Sequence, residues 1–122
     1  MRSAYRPSVL RVGLALALLF FLTGTMASAH PPKDVQLGFD TASRTLTVTI
    51  THTSASNTRH YIKQVEIKKN GAVLSNNLYK SQPDKTSFSY SFSVPAEAGD
   101  VIEVTSSCNI YGKKTATLNI GQ

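Results

Sequence analysis

Alternation with a period of two constrains this chain more than any other feature. Thr45 to Thr51 reads T-L-T-V-T-I-T, which puts Leu46, Val48 and Ile50 on one face. Thr86 to Val94 reads T-S-F-S-Y-S-F-S-V, with Phe88, Tyr90, Phe92 and Val94 on one face and serines opposite. Asp100 to Ser107 aligns Ile102 with Val104, and Lys113 to Ile120 aligns Ala116, Leu118 and Ile120. Side chains switch face at every step along a strand, so each segment reads as a strand with one face on a core and one in water. Helical periodicity is nearly absent.

Three further strands are less regular. Val35 to Phe39 is a short first strand. His60 to Lys68 carries Ile62, Val65 and Ile67, a parity slip that a β-bulge between Ile62 and Val65 would explain. Ala72 to Tyr79 follows Asn70-Gly71, a strong two-residue hairpin signal. Turn-forming clusters separate the segments. Seven short strands in one small unit predict an all-β fold, a seven-stranded immunoglobulin-like antiparallel β-sandwich. An open barrel of similar strand number is the alternative. The chain has no tryptophan, so the buried tryptophan of antibody domains is missing.

The sandwich does not need the first residues. Arg2, Arg6 and Arg11 precede an apolar run from Val12 to Leu22, and small and polar residues then lead to Ala27-Ser28-Ala29. This is the layout of a cleaved signal peptide with an A-x-A site. The apolar run is shorter than the roughly 20 residues that span a bilayer, although an uncleaved anchor is the competing reading. The expected division is a signal peptide over 1–29 and one domain over 30–122, exported to the periplasm or outside the cell, with no membrane partner after cleavage. The leader's three arginines make up half of the formal charge of +6. The remaining domain is only mildly basic, and no nucleic-acid partner is expected. Lys68-Lys69 and Lys113-Lys114 read as solvated turn or edge residues that discourage strand-to-strand aggregation.

Export implies an oxidising compartment, yet Cys108 is the only cysteine, so no internal disulfide can form. A lone cysteine there is a small core residue, an intermolecular disulfide partner or a metal ligand. Its parity is informative. Ile102, Val104, Ser106 and Cys108 share one face, and Leu46, Val48, Ile50 and His52 share another. A thiol and an imidazole thus extend two inward stripes at strand ends. His60 opens the next strand after the loop 53–59, and His30 starts the expected mature chain beside the stiff Pro31-Pro32 pair. Taken singly, each histidine also reads as a capping or surface residue.

Two stretches carry a family resemblance. His60-Tyr61-Ile62-Lys63-Gln64-Val65-Glu66-Ile67 resembles the H-x-I-x-x-I-E stretch of the superoxide reductase family (desulfoferrodoxin and neelaredoxin domains). Cys108-Asn109-Ile110-Tyr111-Gly112 resembles its C-N-x-H-G motif, and His52 resembles the first histidine of its H-loop-H pair. The match in order and spacing runs roughly from His52 to Gly112. The resemblance implies an immunoglobulin-like sandwich with a mononuclear, non-haem iron held by equatorial histidines and an axial cysteine. Carried over, His52 and His60 are equatorial ligands, Cys108 the axial thiolate, and His30 stands for the family's first histidine. The implied activity is reduction of superoxide to peroxide. Superoxide or another small molecule would be the substrate, an electron-donor protein the partner, and Lys63 and Lys113 candidates to attract the anion.

The chain departs from the pattern in two places. Tyr111 stands where the family has its fourth histidine, and the family's Glu-Lys pair before the first histidine would be lost with the leader. Tyr111 reads as a rim aromatic, as a hydrogen-bond partner of a metal-bound ligand, or as a phenolate ligand. Cleavage before His30 would bring its α-amine within chelate reach of a metal on its own imidazole. That donor set makes copper the alternative to iron, in a copper-binding or carrier domain. A metal-free immunoglobulin-like interaction domain is the reading from another class. A blue-copper carrier lacks the histidine it needs after the cysteine, and a hydrolase lacks a recognisable nucleophile context.

Overall fold

The computed structural model describes residues 30–121; the leader expected over 1–29 lies outside the described residues, as does Gln122. Seven strands follow in order: β1 (Asp34–Asp40), β2 (Thr45–Thr51), β3 (Ile62–Lys69), β4 (Ala72–Leu78), β5 (Ser87–Ser93), β6 (Val101–Cys108) and β7 (Lys113–Asn119). They form a three-stranded sheet, β1-β2-β5, and a four-stranded sheet, β4-β3-β6-β7. Every pairing is antiparallel. This is the two-sheet, immunoglobulin-like sandwich expected from the alternation, in place of an open barrel.

The inward stripes make the core. Leu46, Val48 and Ile50 of β2 are fully buried, as are Val65 of β3 and Ile102 and Val104 of β6, with Ile67 nearly so. The slip in β3 is a bulge: Ile62 pairs with Cys108 and Gln64 with Ser107, so two residues of β3 advance against one of β6. The bulge keeps both Ile62 and Val65 in the core. Asn70 and Gly71 take φ of 51° and 83°, the paired positive angles of a type I′ hairpin turn. Tyr79 stacks on Tyr90 at 4.4 Å between ring centroids. Burial, with Tyr79 beside it, pushes the Tyr90 hydroxyl up to about 12.

Two details differ from expectation. Lys68 and Lys69 end β3, which lies between β4 and β6 and is no edge. Both are half-buried, and Lys69 Nζ donates to the Pro95 carbonyl at 2.9 Å. β4 is an edge strand of reversed polarity. Ser75 and Asn77 are half-buried, while Val73, Leu74 and Leu78 are exposed.

Register puts the chemistry at one end. Asp34 pairs with Thr51 and Thr51 with Ser87, while in the other sheet Ile62 pairs with Cys108 and Ser107 with Lys113. The connection from β2 to β3, the connection from β4 to β5 and the β6–β7 turn therefore leave from the same end of the sandwich. They carry His52 and His60, Gln82, and the residues after Cys108.

Candidate metal centre

His52 follows β2 by one residue and stays on its inward stripe. Backbone bonds hold it there: its N–H donates to the Thr86 carbonyl at 2.9 Å, and the Ser54 N–H to that of Lys85 at 2.8 Å. The chain then crosses to the other sheet. The Ser54 hydroxyl donates to the carbonyls of Ser56 and His60, which closes the loop and returns His60 beside His52. Cys108 ends β6 opposite Ile62, with its N–H donating to the Gly112 carbonyl at 2.9 Å.

The side chains meet. One ligand atom each from His52, His60 and Cys108 lie within 4.8 Å of one another. The His52 and His60 ring centroids are 4.6 Å apart, and the His30 ring lies 6.0 Å from the first and 5.8 Å from the second. His52 is 0% exposed and Cys108 4%, His60 is half-buried, and His30 is exposed at the rim. All three histidines and the only cysteine thus gather at one end.

Two features hold the loops around this cluster. The Asn109 side chain bridges the flanks of His60: its Oδ1 accepts from the Tyr61 N–H at 2.8 Å and its Nδ2 donates to the Arg59 carbonyl at 3.1 Å. The Asn109 N–H donates to the Tyr61 carbonyl at 2.9 Å, so the residue after Cys108 fastens the residues around His60. The second feature is Gly112, with φ of 82°. A Cβ there would lie 2.6 Å from Pro31 Cβ, so only glycine lets Pro31 seat on the β6–β7 turn with His30 beside it. The Ile110 N–H donates to Cys108 Sγ at 3.4 Å.

The residues fit a metal ion. His52 Nε2 and His60 Nε2 are buried and have no hydrogen-bond partner. An orphaned buried polar atom costs about 1–3 kcal/mol, which a bound cation would offset. Burial, with His52 and His30 beside it, holds the His60 imidazole below its ordinary 6.5, in the neutral form that ligates. Two donors at about 2.3 Å from one ion span at most about 4.6 Å, close to the observed spread. Imidazole nitrogen with thiolate sulfur is a donor set for a transition metal rather than calcium or magnesium.

The other predicted residues fall outside the cluster. Tyr111 is 65% exposed, the rim aromatic among its three readings. Lys63 and Lys113 line, with Gln64, Tyr111 and Cys108 itself, an open depression at this end of the four-stranded sheet. Sequence reasoning missed Gln82. It is buried, with Oε1 2.8 Å from His52 Nδ1. The signal available was an isolated glutamine among turn residues at Ser81–Asp84, and nothing in that pattern marks it.

No protein-family model matches the chain, and no curated protein does. Two solved structures are similar in fold, both chains of superoxide reductase (neelaredoxin) from Ignicoccus hospitalis. One is 16% identical, with 80% of this chain and 83% of that chain covered at a TM-score of 0.48. The other is 16% identical, with 75% and 80% covered at a TM-score of 0.45. At that distance the likeness adds nothing to what the sheets and the centre show by themselves.

Proposed function

We propose that this chain is an exported metal-binding domain of the superoxide reductase type, whose single iron is held by His52, His60, Cys108 and the rim residue His30. The observation that carries the reading is that His52, His60 and Cys108 each bring a ligand atom within 4.8 Å of the others, in a place where both histidines also keep a buried Nε2 without a partner. The resemblance of His60–Ile67 and Cys108–Gly112 to family motifs favours iron over copper. When bound, iron in such a centre supplies one-electron reduction of superoxide to peroxide.

The chain's own residues prepare that chemistry. Cys108 offers its sulfur at a fixed position, held by the hydrogen bond from the Ile110 N–H. The sandwich core beneath His52 and Cys108 keeps water from that side. His30, exposed at the rim, stands on the side from which a small anion would arrive. Lys63 and Lys113 add positive charge to the adjoining face.

Metal analysis of protein purified from the exported fraction tests the reading. The expected result is iron near one per chain, an absorption band of a ferric thiolate, and loss of both in Cys108→Ser. Amino-terminal sequencing should find His30 first. Protein free of iron and copper, with stability indifferent to chelator, would leave a plain interaction domain. Copper in place of iron would turn the reading to a copper carrier.

A further inference from the structure

Gln82 lies in the connection from β4 to β5, thirty residues from His52, and its side chain is enclosed between the two sheets. Its amide meets four polar groups. The Nε2 group donates to the His52 carbonyl at 2.9 Å and to the Asp84 carbonyl at 2.8 Å. Oε1 accepts from the Ile62 N–H at 3.2 Å and lies 2.8 Å from His52 Nδ1. These partners fix which way the amide faces. Only the NH2 group can serve two carbonyls, and only the oxygen can serve a backbone N–H.

The orientation dictates where the His52 proton sits. A carbonyl oxygen cannot donate, so the bond to Oε1 requires a proton on Nδ1. A neutral imidazole carries one ring proton. The lone pair is therefore on Nε2, the same atom that is buried without a partner. Hydrogen bonding of the non-ligating nitrogen is the usual means of orienting a metal-binding histidine.

We propose that Gln82 is the positioning residue of His52: it holds the imidazole as the Nδ1–H tautomer and leaves Nε2 as the donor shared with His60 and Cys108. The consequence for metal binding rests on the function proposed above; the tautomer does not, because Gln82 makes these bonds with protein groups alone. The same amide ties the start of β3, through Ile62, to the end of β2, through the His52 carbonyl. It thereby sets the separation of the two segments that carry His52 and His60.

Imidazole nitrogen–proton correlation NMR on the metal-free protein, with titration by Co2+ as the metal probe, tests this. Wild type should show His52 as the Nδ1–H tautomer. Gln82→Leu, which removes the acceptor, should show mixed or inverted tautomers and bind Co2+ about 10- to 100-fold more weakly. Gln82→Glu turns an oxygen toward the His52 and Asp84 carbonyls and should lose folding stability, but it keeps an acceptor at Nδ1 and should retain the tautomer, with Co2+ affinity of the folded variant closer to wild type than that of Gln82→Leu. A merely structural glutamine would alter folding stability in both variants without moving the tautomer. His52 found as the Nε2–H tautomer in wild type, or Gln82→Leu with tautomer and Co2+ affinity unchanged, overturns the inference. Co2+ uptake by wild type separately decides the metal-binding reading, so the two can fail independently.

Discussion

The inward stripes of β2 and β6 each divide into two halves that are equally buried and chemically opposite. In the middle of the sandwich lie Leu46, Val48, Ile50, Ile102 and Val104; at its end the same parity continues into His52, Ser106 and Cys108. Burial of the apolar half is stabilising, at roughly 25 cal/mol per Å2 removed from water. Burial of the polar half is not. His52 Nε2, His60 Nε2 and Ser106 Oγ are all enclosed without a partner. Under the proposed reading, one end of the core gives up stability in the metal-free fold to keep donor atoms open for an ion, while the rest provides the stability that tolerates it.

The largest expected effect breaks the contrast by supplying the ligand. Metal at a thousandfold its Kd should raise the unfolding free energy by about 4 kcal/mol. Denaturant unfolding with and without metal should show no such gain in Cys108→Ser. The next effect compares the halves directly. Ile50→Ala should cost about 2–5 kcal/mol, whereas His52→Leu, measured in metal-free protein, should change stability by no more than about 1 kcal/mol, because it removes an orphaned group along with a hydrogen bond. Equal losses in the two variants would mean the polar half is stabilising after all.

A glycine pair tests the rim. Gly112→Ala places a side chain at a positive φ, at a cost of about 1–2 kcal/mol, and drives Pro31 from its seat. Metal affinity should fall with it, as His30 is displaced. Gly38→Ala, where a Cβ meets nothing within 4 Å, should leave affinity unchanged in the same titration. Smaller still, Ser106→Ala removes a buried hydroxyl without a partner and should stabilise the fold by about 1 kcal/mol, with metal affinity intact. The least effect is a pH dependence. The His60 pKa is lowered by burial and by its neighbours His52 and His30. The unfolded chain therefore binds the proton more readily, and stability grows with pH. This contribution is fully present above about 6.5 and is lost as pH falls from there through the lowered folded value. Metal-free unfolding curves across that range would check it, with His60→Gln removing the slope.

Much of this was legible because strands repeat every two residues. T-L-T-V-T-I-T fixes a core face without reference to anything distant, and Asn70-Gly71 names its own turn. The parity slip in β3 read correctly as a bulge for the same reason. The strand over Ala72–Leu78 was legible as a strand but not in its polarity. Its inward positions hold Ser75 and Asn77 because a second register shift, between Ile67 and Lys68, sets its facing against β3. That shift depends on pairing, which the strand's own residues do not encode. In the site, His52 and Cys108 were visible as polar residues on apolar stripes, and the family resemblance joined His60 and His30 to them. Gln82 and the seat of Pro31 on Gly112 were not visible.

Local order within the chain determined the strands, the faces they bury and the types of donor atom available, since periodicity and turn chemistry act between near neighbours. Tertiary structure alone decided that one sheet crossing, the end of β6 and the segment before β1 would deliver those donors to the same end. It also decided that an amide thirty residues away would assign the proton on His52. Hydrogen bonds that close between distant segments depend on where the backbone arrives, and no spacing rule along the sequence contains that distance.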